Sequence, residues 1–147
     1  MKKIILSLSL LMTAGLSTIY ANDDPTPDKE VLNLFKKEFS SAESVSWSRQ
    51  GDYDKATFVL AGRRAIAYFN ANGELEGSVR DIFFDQLPLT VMTAVDKRFA
   101  DAEIIDVREI NNAEGTHYRI RLTAKSKKYS VKVDPSGSIG DIEKLVK

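Results

Sequence analysis

The sequence predicts an α+β fold in which two tandem helix–four-strand repeats form an antiparallel sheet with the helices packed on one face. Three observations predict it. The chain repeats itself, because Phe39-Ser-Ser-Ala42-Glu43-Ser-Val45-Ser-Trp47 returns sixty positions later as Phe99-Ala-Asp-Ala102-Glu103-Ile-Ile105-Asp-Val107, with Val31 and Phe35 mapping onto Val91 and Val95 at the same offset. Each copy then changes from a helical to an alternating hydrophobic period. Each also carries a matching turn, Asn70-Ala-Asn72-Gly73-Glu-Leu75 against Asp134-Pro-Ser136-Gly137-Ser-Ile139. Self-similarity of this length marks a duplicated supersecondary unit.

Residues 1–21 have the pattern of an export signal. Lys2 and Lys3 form a charged start, Ile4 to Leu16 an apolar run, and Ser17, Thr18 and Ala21 supply small residues around a cut after Ala21. The run is shorter than the roughly twenty residues a bilayer span needs. A polar spacer, residues 22–27 with Pro25 and Pro27, leads to the folded part over 28–147, with repeat one about 28–84 and repeat two about 85–147.

Each repeat opens with a helix: Val31, Leu34, Phe35 and Phe39 recur at three- and four-residue steps, as do Val91, Met92, Val95 and Phe99. Pro27 and Pro88 are expected in the first helical turn, where a missing N–H costs nothing. Four strands follow in each copy. Val45 and Trp47, then Ala56, Phe58 and Leu60, then Ala65, Ala67 and Phe69 alternate with their neighbours in the first. Ile105 and Val107, then Ile120 and Leu122, then Tyr129, Val131 and Val133 do so in the second. Gly62-Arg63 and Ser126-Lys127 read as turns, Asn72-Gly73 and Ser136-Gly137 as hairpins, since glycine accepts the positive φ of tight turns. The last strands are expected over Glu74–Phe83 and Ser138–Val146. Alternation with short turns gives an antiparallel sheet with one buried face, and the two helices are its natural cover.

Composition narrows the chemistry. There is no cysteine, which removes disulfides, thiol catalysis, thiolate metal sites and a lipidated N-terminus. An export signal without cysteine points to a bacterial periplasm. Without Lys2 and Lys3, nineteen basic residues face twenty-one acidic ones, a balance with no general pull toward nucleic acid. No second apolar stretch supplies a membrane span to the mature chain. His117 is the sole histidine, lacks partners for a zinc site and reads as a surface residue at the start of a strand. No serine sits in a Gly-x-Ser-x-Gly turn, and no phosphate-cradling glycine loop is present. Trp47, replaced by Val107 in the other copy, reads as core. The acid-bearing turns Asp52-Tyr-Asp54, Asn70 to Glu74 and Asp134 to Asp141 lack the full calcium-loop pattern. No cofactor, catalytic or metal residue is assigned.

The helix, the Phe39-x-x-Ala42-x-x-Val45 seam, the Asn72-Gly73 hairpin and the Asp85-Gln86-Leu87-Pro88 junction resemble the PepSY-like, β-lactamase-inhibitor-like periplasmic proteins, over about Asp28 to Lys147. The resemblance implies the fold of the tandem-repeat inhibitor of β-lactamases, whose open sheet face grips its target. It implies a location more firmly than an activity, and this chain lacks the cysteines that the inhibitor's disulfides require.

Alternation also predicts a second sheet face. With Ala56, Phe58 and Leu60 under a helix, Lys55, Thr57, Val59, Arg64, Ile66 and Tyr68 point the other way, joined in the second copy by Arg119, Arg121, Thr123, Lys128, Ser130 and Lys132. That face is expected to be half apolar-aromatic and half basic, with Val59, Arg64, Ile66, Tyr68, Arg119, Arg121, Lys128 and Lys132 as the candidate partner-binding set. The expected function is an exported, non-enzymatic binding module that captures a periplasmic or secreted protein or peptide, an acidic one being the complement to the basic half. The alternative is a small-ligand or calcium-responsive periplasmic module.

Overall fold

The computed structural model describes residues 26–146; the expected export signal and residues 22–25 of the spacer lie outside them. Two helices and eight strands follow the repeat: α1 (Lys29–Glu38), β1 (Glu43–Gln50), β2 (Tyr53–Leu60), β3 (Arg63–Phe69), β4 (Leu75–Ile82), then α2 (Leu89–Arg98), β5 (Glu103–Asn112), β6 (Gly115–Ala124), β7 (Lys127–Val133) and β8 (Ile139–Leu145). A single 3₁₀ turn, Phe84–Gln86, links the repeats. The strands form one antiparallel sheet in chain order, β1 to β8. This is the architecture the duplication predicts.

The helices are amphipathic in the expected positions. Val31 and Phe35 are buried on α1, and Val91 and Val95 on α2. Lys36 and Lys37 occupy the last turn of α1, and Lys97 and Arg98 that of α2, where they oppose the negative end of the helix dipole. Each helix ends alike, with the Phe39 and Phe99 amides donating to the Phe35 and Val95 carbonyls at 2.8 Å. The prolines sit slightly earlier than expected: Pro88 precedes α2 as its cap, and Pro27 precedes the Asp28 cap of α1.

Buried side chains fall into two clusters, one for each helix. Val31, Phe35, Ala56, Phe58, Ala65, Ala67 and Phe69 make the first, with Trp47 packed against it. The second contains Val91, Val95, Val107, Ile120, Leu122, Val131 and Val133. On the helix side of the sheet, the register places Ser78 and Arg80 of β4 opposite Asn111 and Glu109 of β5. Polar residues, with an Arg80–Glu109 ion pair at 3.0 Å, therefore separate the two cores.

The first strand of each repeat departs from simple alternation. A register shift lies between Glu43 and Ser46 in β1, where Ser44 has a φ of 51°, and another between Ile104 and Asp106 in β5. These bulges leave Val45 and Ile105 exposed, although alternation grouped them with Trp47 and Val107. The tight turns also fall one residue before their expected positions: Ala61-Gly62 and Lys125-Ser126 all have positive φ, the form that matches the twist of the flanking strands.

Candidate functional site on the uncovered sheet face

Strand pairing resolves the uncovered face into rows that run across the strands. One row is apolar: Thr57 pairs with Ile66, Ile66 with Val79, Val79 with Ile110 and Ile110 with His117. The adjacent row is charged: Asp81 pairs with Arg108, Arg108 with Arg119 and Arg119 with Lys132. Arg64 joins its near end, since Arg64, Asp81 and Arg108 line one small depression with Ile66 and Val79. The face is thus divided by rows that cross both repeats, as well as by repeat.

At the seam between repeats lies an open groove of about 480 Å³. Tyr53, Tyr68, Val79 and Ile110 line it, with Glu76 and Glu114 among its polar lining. Gly77 is in register with Tyr68, so the row beyond Ile66 and Val79 has no β4 side chain at this point. The glycine also fits its neighbours closely, because a Cβ there would come within 2.8 Å of the Asn111 carbonyl oxygen.

The predicted set is only partly assembled. Arg64, Ile66 and Tyr68 share β3, and Arg119 and Lys132 are direct partners. Arg121 is exposed but tied to Asp106. Val59 pairs with Arg64 at the far end of β2, and Lys128 pairs with Thr123 and Leu145 away from the groove. Val79, Ile110, Tyr53 and Arg108 complete the surface and were not in the predicted set. Their own alternation was readable; what placed them was the β4–β5 register, which no local pattern states.

Electrostatics on this face are uneven. Arg108 lies 3.4 Å from Asp81, and Lys132 lies 4.0 Å from Glu114. Arg119, between two other cations, donates to the Ser130 hydroxyl at 3.3 Å. Burial first, then Lys132 and Arg119, hold the His117 imidazole below its ordinary value of 6.5, against a smaller opposing effect of Glu114. The folded state therefore takes up this proton less readily than the unfolded chain does. Stability is expected to fall as pH drops through about 6.5, the unfolded value, with the loss complete below the folded value. His117→Gln should flatten that part of the pH–stability curve, and Arg119→Gln should raise the imidazole pKa followed by NMR. A His117 that titrates above 6.5 would contradict this picture.

The acid-bearing hairpins use their oxygens internally. Asn70 Oδ1 accepts from the amides of Asn72 and Glu74 at 2.9 and 3.0 Å, and Asp134 Oδ1 accepts from those of Ser136 and Ser138 at 2.9 and 3.1 Å. The Ser136 hydroxyl and then these amides lower the Asp134 pKa. Among the described residues, no three His, Asp or Glu side chains gather in a way that could hold a metal ion.

No family model matches the sequence, and no curated protein matches it. Solved structures do. A BLIP-like protein from Bacteroides fragilis superposes with a TM-score of 0.74 at 20% identity, covering 84% of this chain and 89% of that one. A Bacteroides eggerthii protein, provisionally named as periplasmic, gives 0.72 at 22% identity over 82% and 90% of the two chains. A DUF2874 family protein from Bacteroides ovatus gives 0.72 at 24% identity over 82% and 89%. At these identities the shared property is the architecture: two helix-plus-four-strand units in one eight-stranded antiparallel sheet, the BLIP-like fold.

Proposed function

We propose that this chain is an exported periplasmic binding protein, without enzymatic activity, that holds a protein or peptide on the uncovered face of its sheet. The observation that carries this reading is the groove at the repeat seam. It combines aromatic walls and an apolar floor with a row of cations alongside, on a face that no helix among the described residues covers. Clustered apolar and aromatic surface with a polar surround is the composition of protein contact sites. The export pattern of residues 1–21 and the provisional periplasmic name of a structural relative support the location. The BLIP-like name of another supports a protein as the ligand.

The test is photo-crosslinking in cells, with benzoylphenylalanine in place of Tyr68 on the groove or of Lys97 on exposed α2. A discrete protein adduct from position 68 and none from position 97 is the expected result. Adducts confined to position 97, or none from either, would refute the reading.

A further inference from the structure

We propose that the uncovered face reads an extended segment of its protein partner through two side chains spaced two residues apart, one apolar and one a carboxylate. This rests on the reading of that face as a protein-binding surface and specifies the chemistry of the partner.

The apolar row Ile66–Val79–Ile110 and the cationic row Arg108–Arg119–Lys132 meet on β5, where Ile110 and Arg108 are two residues apart and Arg108 is paired with Arg119 on the neighbouring strand. Residues two apart on an extended chain point the same way and lie about 6.6–6.8 Å apart. A segment lying along β5 thus repeats the spacing of the rows beneath it. Its apolar side chain would rest on Val79 and Ile110 at the groove, and its carboxylate would meet Arg119.

The cationic row has the features of an anion-reading site. Like charges directly opposite one another across strands are unfavourable, yet Arg108, Arg119 and Lys132 stand in register on three successive strands. The flanking members have acidic neighbours in Asp81 and Glu114. Among the described residues, Arg119 has no carboxylate within 4.0 Å, and its one side-chain partner is the neutral Ser130 hydroxyl. An incoming carboxylate relieves the repulsion and gains charge-assisted hydrogen bonds. The same positive field acts on His117, whose protonation Lys132 and Arg119 oppose.

Three capped seven-residue peptides test this, with central sequences Phe-Ser-Glu, Phe-Ser-Gln and Ala-Ser-Glu. Each is titrated into the isotope-labelled protein at low salt and followed by amide shifts up to millimolar concentration. The Phe-Ser-Glu peptide is expected to bind at least tenfold more tightly than either of the others, with shifts centred on Ile66, Val79, Ile110 and Arg119. Arg119→Gln should reduce the preference for Glu over Gln to twofold or less, and Arg119→Lys should retain most of it.

Equal affinity for the Glu and Gln peptides, or a preference that survives Arg119→Gln, would overturn the proposal. So would the absence of binding by all three peptides, or competition by free glutamate as effective as by the peptide, which would indicate a simple anion site. None of these results removes a position-68 adduct, so failure of the side-chain rule is distinguishable from failure of the binding surface. Peptide shifts confined to α1 and α2 would overturn the side-chain rule and count against the surface as well.

Discussion

Phe58→Ala is expected to cost about 3–5 kcal/mol of folding stability, the range for truncating a large aromatic in a packed core. Phe58 is 2% exposed, and its ring stands 5.0 Å from that of Phe35, near perpendicular, and 4.9 Å from that of Phe39. The side chain therefore joins β2 to the helix and to the residue that ends it. Domains of this size are stable by only about 5–15 kcal/mol in total, so the substitution should lower the melting temperature by about 10–20 °C. Trp47, the only tryptophan, packs against the same cluster, 5.2 Å from the Phe35 ring. Its fluorescence should report unfolding of the first repeat ahead of the far-ultraviolet circular dichroism signal in this variant, because the two cores share no buried residue. A loss below about 1.5 kcal/mol would mean that the site collapses around the missing ring, contrary to the packing described.

Gly137→Ala should destabilise by about 2–5 kcal/mol, whereas Gly73→Ala at the equivalent turn should cost about 1–2 kcal/mol. Both glycines have positive φ, 88° and 80°, and a β-carbon there costs roughly 1–2 kcal/mol. Their surroundings differ. A Cβ on Gly137 would stand 2.5 Å from the Thr90 carbonyl oxygen and 3.4 Å from the Ala94 Cβ, but one on Gly73 meets nothing nearer than Val31 Cγ2 at 3.7 Å. The β7–β8 hairpin is seated directly on the α2 backbone, where the Thr90 hydroxyl also donates to the Pro135 carbonyl at 2.7 Å. Overpacking a site with backbone on the opposing side adds about 1–3 kcal/mol. Urea denaturation of the two variants in parallel gives the comparison, and equal costs would show that the second hairpin can lift away freely.

The sequence was most informative where a local period decided the outcome. Val31 and Phe35 buried on α1, Val91 and Val95 buried on α2, and Ala56 and Phe58 beneath a helix follow from spacing alone. Alternation also placed Ile66, Tyr68, Arg119 and Lys132 on the uncovered face, because a strand's period of two fixes each side chain relative to its neighbours. It could not place Ile105, since one extra residue in β5 reverses the parity on either side of the bulge. Nor could it show that Ile110 lies beside Val79, or Arg108 between Asp81 and Arg119. Those adjacencies depend on how one repeat is registered against the other, and the first repeat's last strand and the second's first are separated by a helix. The face was therefore legible strand by strand, while its rows were not.

Among the described residues, the unclosed meander of eight strands has two free borders, β1 and β8, each offering unpaired backbone groups to another molecule. Both are poorly suited to accept one. The β1 border carries the bulge with left-handed Ser44, and β8 displays Asp141, Glu143 and Lys144 along its largely exposed length. Bent and charged borders discourage strand addition. The consequence is that neighbouring copies meet no ready template at either border, so edge-to-edge growth into fibres is disfavoured.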